Sequence, residues 1–407
     1  MFFNRFVTPS VFYFVLRNLL IVVCLVSCVS PKTSLLSEDA YVINLDNPKK
    51  SVFLYSDIFK SAKTIILETN KECLISHIFD IQVYDSLLYV LDASNIINSL
   101  FVFDLDGNYV RKIGRAGNGP GEYHKLFNFT LDVENKIIFL LDDVFIHKYK
   151  FDGIYIKSIS ISIPATQIKS IHYYNNILFA DVRMYSDVAD KFMLFQINPE
   201  SGKVISHDLP ISLNKGWNEL FISGQGAFMA RLNDPPMYTQ IFMDEIVSIT
   251  DQPKVSIALH SKDLTTQKDI EKITQGNPIE KMNNFMSLTE TSKIHNVYNY
   301  FEHDNLIFFN YKQGEKTPFV LYNTQNNTVQ ISEQTKNDLV FKTDPNIFHN
   351  FMFFDKHGVY DVLSQPWLSD IQGYVDNDNF NPALDKLDKI KQLKEETNPV
   401  IFYYDFW

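Results

Sequence analysis

The sequence predicts an all-β fold: a six-bladed β-propeller with a short helical insertion and a C-terminal helix before the last strand. Three observations predict it. A strand–turn–strand unit recurs with a spacing in the forties, Asp-Gly and Asn-rich pairs separate alternating strands, and the chain carries 34 Phe and 21 Tyr, residues that suit a half-buried pleated surface.

The unit is clearest in LLYVLDASNIINSLFVFDLDGNYVRKIG from Leu87 and IIFLLDDVFIHKYKFDGIYIKSIS from Ile137. Asp92 matches Asp142, 50 residues on, and Gly107 matches Gly153, 46 residues on. A weaker copy from Ile177 puts Asp181 in the Asp place and Ser201-Gly202 in the turn place. Another from Leu306 has Asn326-Asn327 at the turn. Asp-Gly and Asn pairs tolerate positive φ and so close hairpins. A unit of about four short strands cannot bury both of its faces alone, whereas copies packed side by side can; at this period the chain accommodates about six.

In chain order, residues 1–27 read as a signal peptide, with Arg5 and Arg17 followed by the apolar run Leu19–Val26, too short to span a bilayer. Residues 28–45 read as a tether and N-terminal extension, and residues 46–407 as the propeller. Between Ser261 and about Lys293 the β pattern gives way to KDLTTQKDIEKITQG, a polar helical insertion in a loop, with Ile270 and Ile273 spaced by three. A second helix is expected over Asn381–Glu396. Asn381 is its N-cap, Pro382 its first residue, and Leu384, Leu387, Ile390 and Leu393 form a slowly drifting apolar stripe. After Asn398-Pro399, Val400–Tyr404 reads as a final strand, expected to pair with N-terminal residues and close the ring, which removes exposed sheet edges.

A net charge of −11 argues against binding nucleic acid or anionic lipid by charge. Of the three cysteines, Cys24 and Cys28 belong to or border the leader. Cys73 is left alone, so no disulfide or metal knuckle can form, and it is expected to pack as a small hydrophobe.

No catalytic set is evident. The glycine-rich junction GRAGNGPGEY lacks the strand-to-helix setting and the Lys-Ser or Lys-Thr ending of a phosphate-binding loop. Gly107, Gly114, Gly117, Gly119, Pro120, Gly121 and Gly153 are expected to shape blade turns and the crossover between blades. Arg115, Asn118, Glu122 and Tyr123 are candidates for a ligand-face loop, with an alternative role in tying that loop to its neighbour. The histidines show no i, i+4 metal spacing on a helix, and His147 lies in an alternating strand. Asp92, Asp142, Asp143 and Asp181 suit a structural role in each blade; the alternative is a ring of acids around a channel metal such as calcium, which prefers oxygen ligands. No Gly-x-Ser-x-Gly elbow occurs. Trp217, Trp367 and Trp407 are read as packing residues or, alternatively, as platforms for sugar rings. The sequence calls for no cofactor and gives calcium no support of its own.

Arg111–Tyr123, with Phe103-Asp104-Leu105-Asp106-Gly107 before it, resembles the blade junction of NHL-type propellers and, more narrowly, the six-bladed β-propeller lipoproteins of Bacteroidetes. The Ile65-Ile66-Leu67-Glu68-Thr69 strand and the Asn398-Pro399-Val400 ending fit the same group. Leu25-Val26-Ser27-Cys28 resembles the bacterial lipobox, which implies cleavage before Cys28 and acylation of that residue. The resemblance implies a cell-envelope location, on the outer membrane. Glu38 and Asp39 are the first acids after Cys28, so periplasmic and surface orientations both stay open.

Two functional readings follow. In the first, the chain is a monomeric, lipid-anchored, non-catalytic binding or scaffolding module that offers one propeller face to a glycan, peptide or envelope protein, with the membrane as its other partner and no nucleic acid. In the second, it is a channel-metal-dependent lyase or lactonase-like hydrolase. Three or more Asp, Glu, Asn or His side chains converging on one point in the channel would favour the second, and an apolar or loosely polar channel the first.

Overall fold

The computed structural model describes residues 36–407, except 47–48, 51, 144, 162, 164–166, 184–191, 217–227, 230–231, 233, 344–350, 363–372 and 395. The leader, Cys28, Trp217 and Trp367 lie outside the described residues.

The N-terminal segment forms β1 (Leu36–Asn44), β2 (Lys49–Lys50), β3 (Phe53–Leu54) and β4 (Phe59–Ile66). Blade 1 follows as the antiparallel meander β5 (Asp80–Tyr84), β6 (Leu87–Asp92), β7 (Ser99–Asp104) and β8 (Tyr109–Ile113). The short parallel pair β9 (Arg115–Ala116) and β10 (Glu122–Tyr123) spans the crossover. Blade 2 is β11 (Leu126–Asp132), β12 (Ile137–Asp142), β13 (Phe145–Lys150) and β14 (Tyr155–Ser160). Blade 3 is β15 (Gln167–Tyr174), β16 (Ile177–Arg183), β17 (Phe192–Ile197) and β18 (Val204–Pro210). Blade 4 has a short inner half, β19 (Phe228–Met229) and β20 (Met237–Tyr238), then β21 (Glu245–Ser248) and β22 (Lys254–His260). Blade 5 is β23 (Ile294–His303), β24 (Leu306–Gln313), β25 (Phe319–Asn323) and β26 (Thr328–Ser332), followed by β27 (Thr335–Lys336). Blade 6 takes β28 (Phe351–Phe354), β29 (Gly358–Val362) and β30 (Val400–Phe406) from the C-terminus and its outermost strand, β4, from the N-terminus.

The chain is therefore a six-bladed propeller closed by its own ends, as the final strand led one to expect. Register in the closing pair runs from Val400 opposite Ile66 to Phe406 opposite Phe59. Asn398, fully buried, locks this closure to the first crossover: its Nδ2 donates to the carbonyls of Glu68 and Cys73, and its Oδ1 accepts from the Ile75 N–H. Cys73 is buried beside it, and its thiol contacts the Glu68 carbonyl.

Before entering blade 6, the N-terminal segment straps the rim. β1 adds a parallel fifth strand to blade 4, β2 does the same on blade 5, and β3 pairs with β27. Outer edges of two blades are thereby covered. β1 begins with Leu36 opposite Val255 and ends with Asn44 opposite His260.

The repeated turn glycines have a physical reason beyond the hairpin. Gly107 has φ of +93°, and a Cβ there would lie 2.1 Å from the Ile66 carbonyl oxygen, so the blade-1 turn can sit against the end of β4 only without a side chain. Gly202 stands in the same relation to Ser160 at the end of β14. The turn of one blade thus abuts the outer strand of the blade before it.

The helical insertion is present as α1 (Gln267–Ile273) and α2 (Pro278–Thr289). Thr266 with Asp269 and Asn277 with Glu280 form capping boxes, and Pro278 opens α2. Ile270, Ile273 and Leu288 bury against Ile241 and Phe242 of blade 4. The C-terminal helix is shorter than expected: a single turn, α3 (Leu387–Ile390), entered through Lys386 with φ of +56°. Tertiary contacts override the helical signals before it. The N–H of Asn381 bonds the Val340 carbonyl, Phe380 pairs with Phe341, and Thr64 bonds the Asp385 carbonyl. No helix among the described residues is long and apolar enough to cross a membrane.

Candidate functional site

Strand order fixes which connections share a face. In an antiparallel meander the first-to-second and third-to-fourth connections lie at one end, and the second-to-third connections and blade crossovers at the other. The first end carries tight turns such as 85–86, 105–108, 175–176 and 324–327. The second carries the long connections, including 67–79, 114–125, 261–293 and the described parts of those that follow β27 and β29. Leu232, on the β19–β20 connection at the tight-turn end, reaches across the ring to pack against apolar clusters of blades 6, 1 and 2.

The glycine-rich crossover, residues 114–125, lies on the long-connection face. Glu122 is turned inward on its own loop: Oε1 accepts from Arg115 Nε at 2.6 Å and Oε2 from the Gly119 N–H at 2.8 Å, which together hold its carboxyl below the usual glutamate range. Arg115 is exposed apart from this pair. Asn118 is exposed, with Oδ1 2.7 Å from His124 Nε2. Tyr123 is fully buried in the core between blades 1 and 2. Arg115, Asn118 and His124 are therefore the exposed polar side chains of this loop. Trp407 is 72% exposed, and its indole N–H donates to the Ser56 carbonyl.

The recurring aspartates are hubs for the loop entering each blade. Asp92 accepts from the N–H groups of Ser76, His77 and Ser94, and Asp142 from His124 and Asp143. Asp142 also meets His147 Nε2 at 3.2 Å, and these bonds outweigh burial and hold its carboxyl well below the usual range. Asp181 differs. It sits opposite Ser170, where Leu141 sits opposite Asn128, one position inward, and accepts instead from Tyr238 Oη and Gln240 Nε2.

His124, Asp142 and Asp143 offer ligand atoms within 4.8 Å of one another, the one such group of His, Cys, Asp and Glu found among the described residues. An imidazole and two carboxylates are a donor set for a divalent cation. All three come from blade 2 and its entry loop, at the long-connection end of its second strand.

The polar groups nearest the axis were missed by sequence reading. The first strands of successive blades line the channel, each with an unpaired inner edge. Strand pairing aligns them: Gln82, Thr130 and His172 stand opposite Tyr89, Phe139 and Phe179, and Asp80, Asn128 and Ser170 form the layer above. Several of these side chains bond the next blade's exposed backbone. Gln82 donates to the Phe129 carbonyl, Asn128 accepts from the Ile171 N–H, and Thr130 from the Tyr173 N–H. Asn128 also donates to Asp80 at 3.2 Å. Burial pushes the Asp80 carboxyl up to about 7 and the His172 imidazole down to about 4. The signal was present in FDIQVY, FNFTLD and KSIHYY, the segments just before each repeated apolar strand, where polar residues alternate.

A family model described as a domain of unknown function, DUF4934, matches residues 40–405. Among solved structures, a Bacteroides fragilis protein described as exported superposes with a TM-score of 0.72 at 16% identity, covering 90% of this chain and 99% of that one. A member of the DUF4221 family from Bacteroides vulgatus superposes with a TM-score of 0.53 at 12% identity, covering 86% of this chain and 97% of that one. At these identities the likeness is one of fold. No curated protein matches the chain in sequence.

Proposed function

We propose that this chain, which belongs to the DUF4934 family, is a lipid-anchored envelope protein whose propeller binds a glycan, peptide or protein partner without transforming it. The observation that carries the reading is the division of the molecule into two unlike ends. The long connections gather at one end, and β1 enters at the other, with Leu36 beside Val255 just after a tight turn. An anchor at Cys28 would therefore hold the tight-turn end toward the membrane and present the long-connection face outward. Export of the fragilis protein of the same fold supports the location, and the lipobox-like Leu25-Val26-Ser27-Cys28 supports the anchor.

Two measurements test this. Cys28→Ala should move the protein from the membrane to the soluble fraction; retention on the membrane counts against the anchor. Envelope glycans and peptides titrated into the protein should bind saturably and be recovered unchanged by NMR. Steady appearance of cleaved or eliminated product would replace binding with catalysis.

A further inference from the structure

Blades 1 and 2 close the same local junction with different side chains. Asp92 ends the second strand of blade 1 and accepts from the Ser76 N–H; Asp142 ends the second strand of blade 2 and accepts from the His124 N–H. Register makes the two entry loops equivalent, since Asp80 stands opposite Leu91 as Asn128 stands opposite Leu141. Both aspartates are held by backbone N–H groups, so the junction itself calls for no particular side chain at Ser76 or His124. The residue after the aspartate is Ala93 in blade 1 and Asp143 in blade 2. Blade 2 therefore carries an imidazole and a second carboxylate that the repeat does not require. Their ligand atoms and that of Asp142 lie within 4.8 Å of one another.

The groups around these three suit a cation. Nε2 of His124 lies 2.7 Å from Asn118 Oδ1, which can only accept, so Nε2 carries the proton and Nδ1 keeps the lone pair. Asp142 Oδ2 accepts from the His124 N–H and meets His147 Nε2 at 3.2 Å, and Oδ1 accepts from the Asp143 N–H. A carboxylate has about four lone-pair sites, so one is left on Oδ1. His147 is buried and is itself held through Nδ1, 2.7 Å from Ser158 Oγ, which lies 2.8 Å from Tyr155 Oη. A hydrogen-bonded chain thus fixes the buried ligand, while His124 and Asp143 are exposed and can adjust. Among the described residues no lysine or arginine pairs with Asp142 or Asp143. Donors each about 2 Å from one ion stand at most about 4 Å apart, so a small rotation of the exposed side chains closes the set.

One nitrogen and two carboxylates favour a borderline divalent cation such as zinc over calcium, which takes about six to eight oxygens. We propose that His124, Asp142 and Asp143 bind one divalent transition cation of the zinc class on the long-connection face, with Asn118 and His147 positioning the ligands. Three protein ligands leave a fourth position for water or for a donor from a partner. The site is local to blade 2 and its entry loop, and it goes beyond the binding reading without resting on it.

The test is isothermal titration calorimetry of the full chain, stripped with EDTA and dialysed, with zinc, cobalt and calcium chlorides. Zinc and cobalt should give saturable heat for one ion per chain. His124→Ser and Asp143→Ala give blade 2 the residues of blade 1. Each should weaken the binding at least about tenfold, since even the outer partners of a metal ligand are worth about 10–100-fold. Each should leave the melting temperature of the metal-free protein nearly unchanged, because blade 1 closes its junction with those residues. Zinc should raise the melting temperature of the wild type and not of the variants. Asp143→Asn, which keeps the shape of the side chain, should weaken zinc likewise and serves if Asp143→Ala does not fold. No heat from zinc or cobalt overturns the proposal. So does binding that both variants leave intact, which marks an adventitious ion only, and so does calcium binding more tightly than zinc. Glycans and peptides that fail to bind would overturn the binding reading and leave this site standing.

Discussion

Gly121 illustrates how one residue can be held by both conformation and space. Its φ is +76°, a Cβ would lie 2.6 Å from the Tyr155 ring, and its carbonyl accepts from the Tyr149 hydroxyl. Gly121→Val should destabilise the protein by about 2–4 kcal/mol in thermal melts, through the left-handed backbone and the clash together. Gly119 has no such φ and meets only the Glu122 carboxylate at 3.1 Å, so Gly119→Ala should cost about 1 kcal/mol or less. The two glycines look alike in sequence and differ because one faces a tyrosine from the next blade. Asp80 gives a pH-dependent expectation. Burial raises its carboxyl to about 7, so the folded state holds a proton that the unfolded state releases near 4. Its contribution is full below the unfolded value and is lost as pH rises through about 7. Asp80→Asn, which cannot ionise, should therefore raise the melting temperature more at about pH 8 than at about pH 5. An equal shift at both would show that the carboxyl is not held protonated.

At the scale of elements, local signals succeeded where the chain has no stronger tertiary partner. Thr266 and Asn277 cap α1 and α2 as their side chains allow, because the insertion stands out from the blade and only Ile270, Ile273 and Leu288 are claimed by the core. Asn381 and Pro382 carry equally good helix-start signals and open no long helix. The backbone of 380–381 is taken by 340–341, and an apolar stripe at every third place drifts by about 60° per step, so that Leu384 and Leu393 end on opposite sides of a helix. The strap shows the reverse. Nothing in SEDAYVIN marks its partner, yet β1 pairs with a strand some two hundred residues away. Since blade 4 already has four strands of its own, removing residues 1–46 should lower the melting temperature while keeping the β circular-dichroism spectrum. Loss of that spectrum would make the strap part of the folding nucleus instead.

For the whole molecule, closure is the decisive event. Blade 6 cannot be completed until both ends of the chain are present, because β30 lies between β29 and β4. Truncation before Val400 would leave β4 without its partner and Asn398 without the strand it anchors, opening two sheet edges. Such a chain should aggregate or melt without cooperativity, whereas the full chain should unfold in one transition by calorimetry.

The sequence by itself determined the blade: alternating apolar strands, turn pairs that accept positive φ, and a period that repeats them, since these follow from local sterics and from burial along one strand. It also marked the helical insertion and the strand that closes the ring. Only the tertiary structure decided what lies between blades. The strap around blades 4 and 5, the inward register of Asp181, the burial of Tyr123 and the hydrogen bonds between polar residues of neighbouring inner strands all arise where strands distant in sequence meet. Each depends on a neighbour's shape that no periodicity within a single segment encodes.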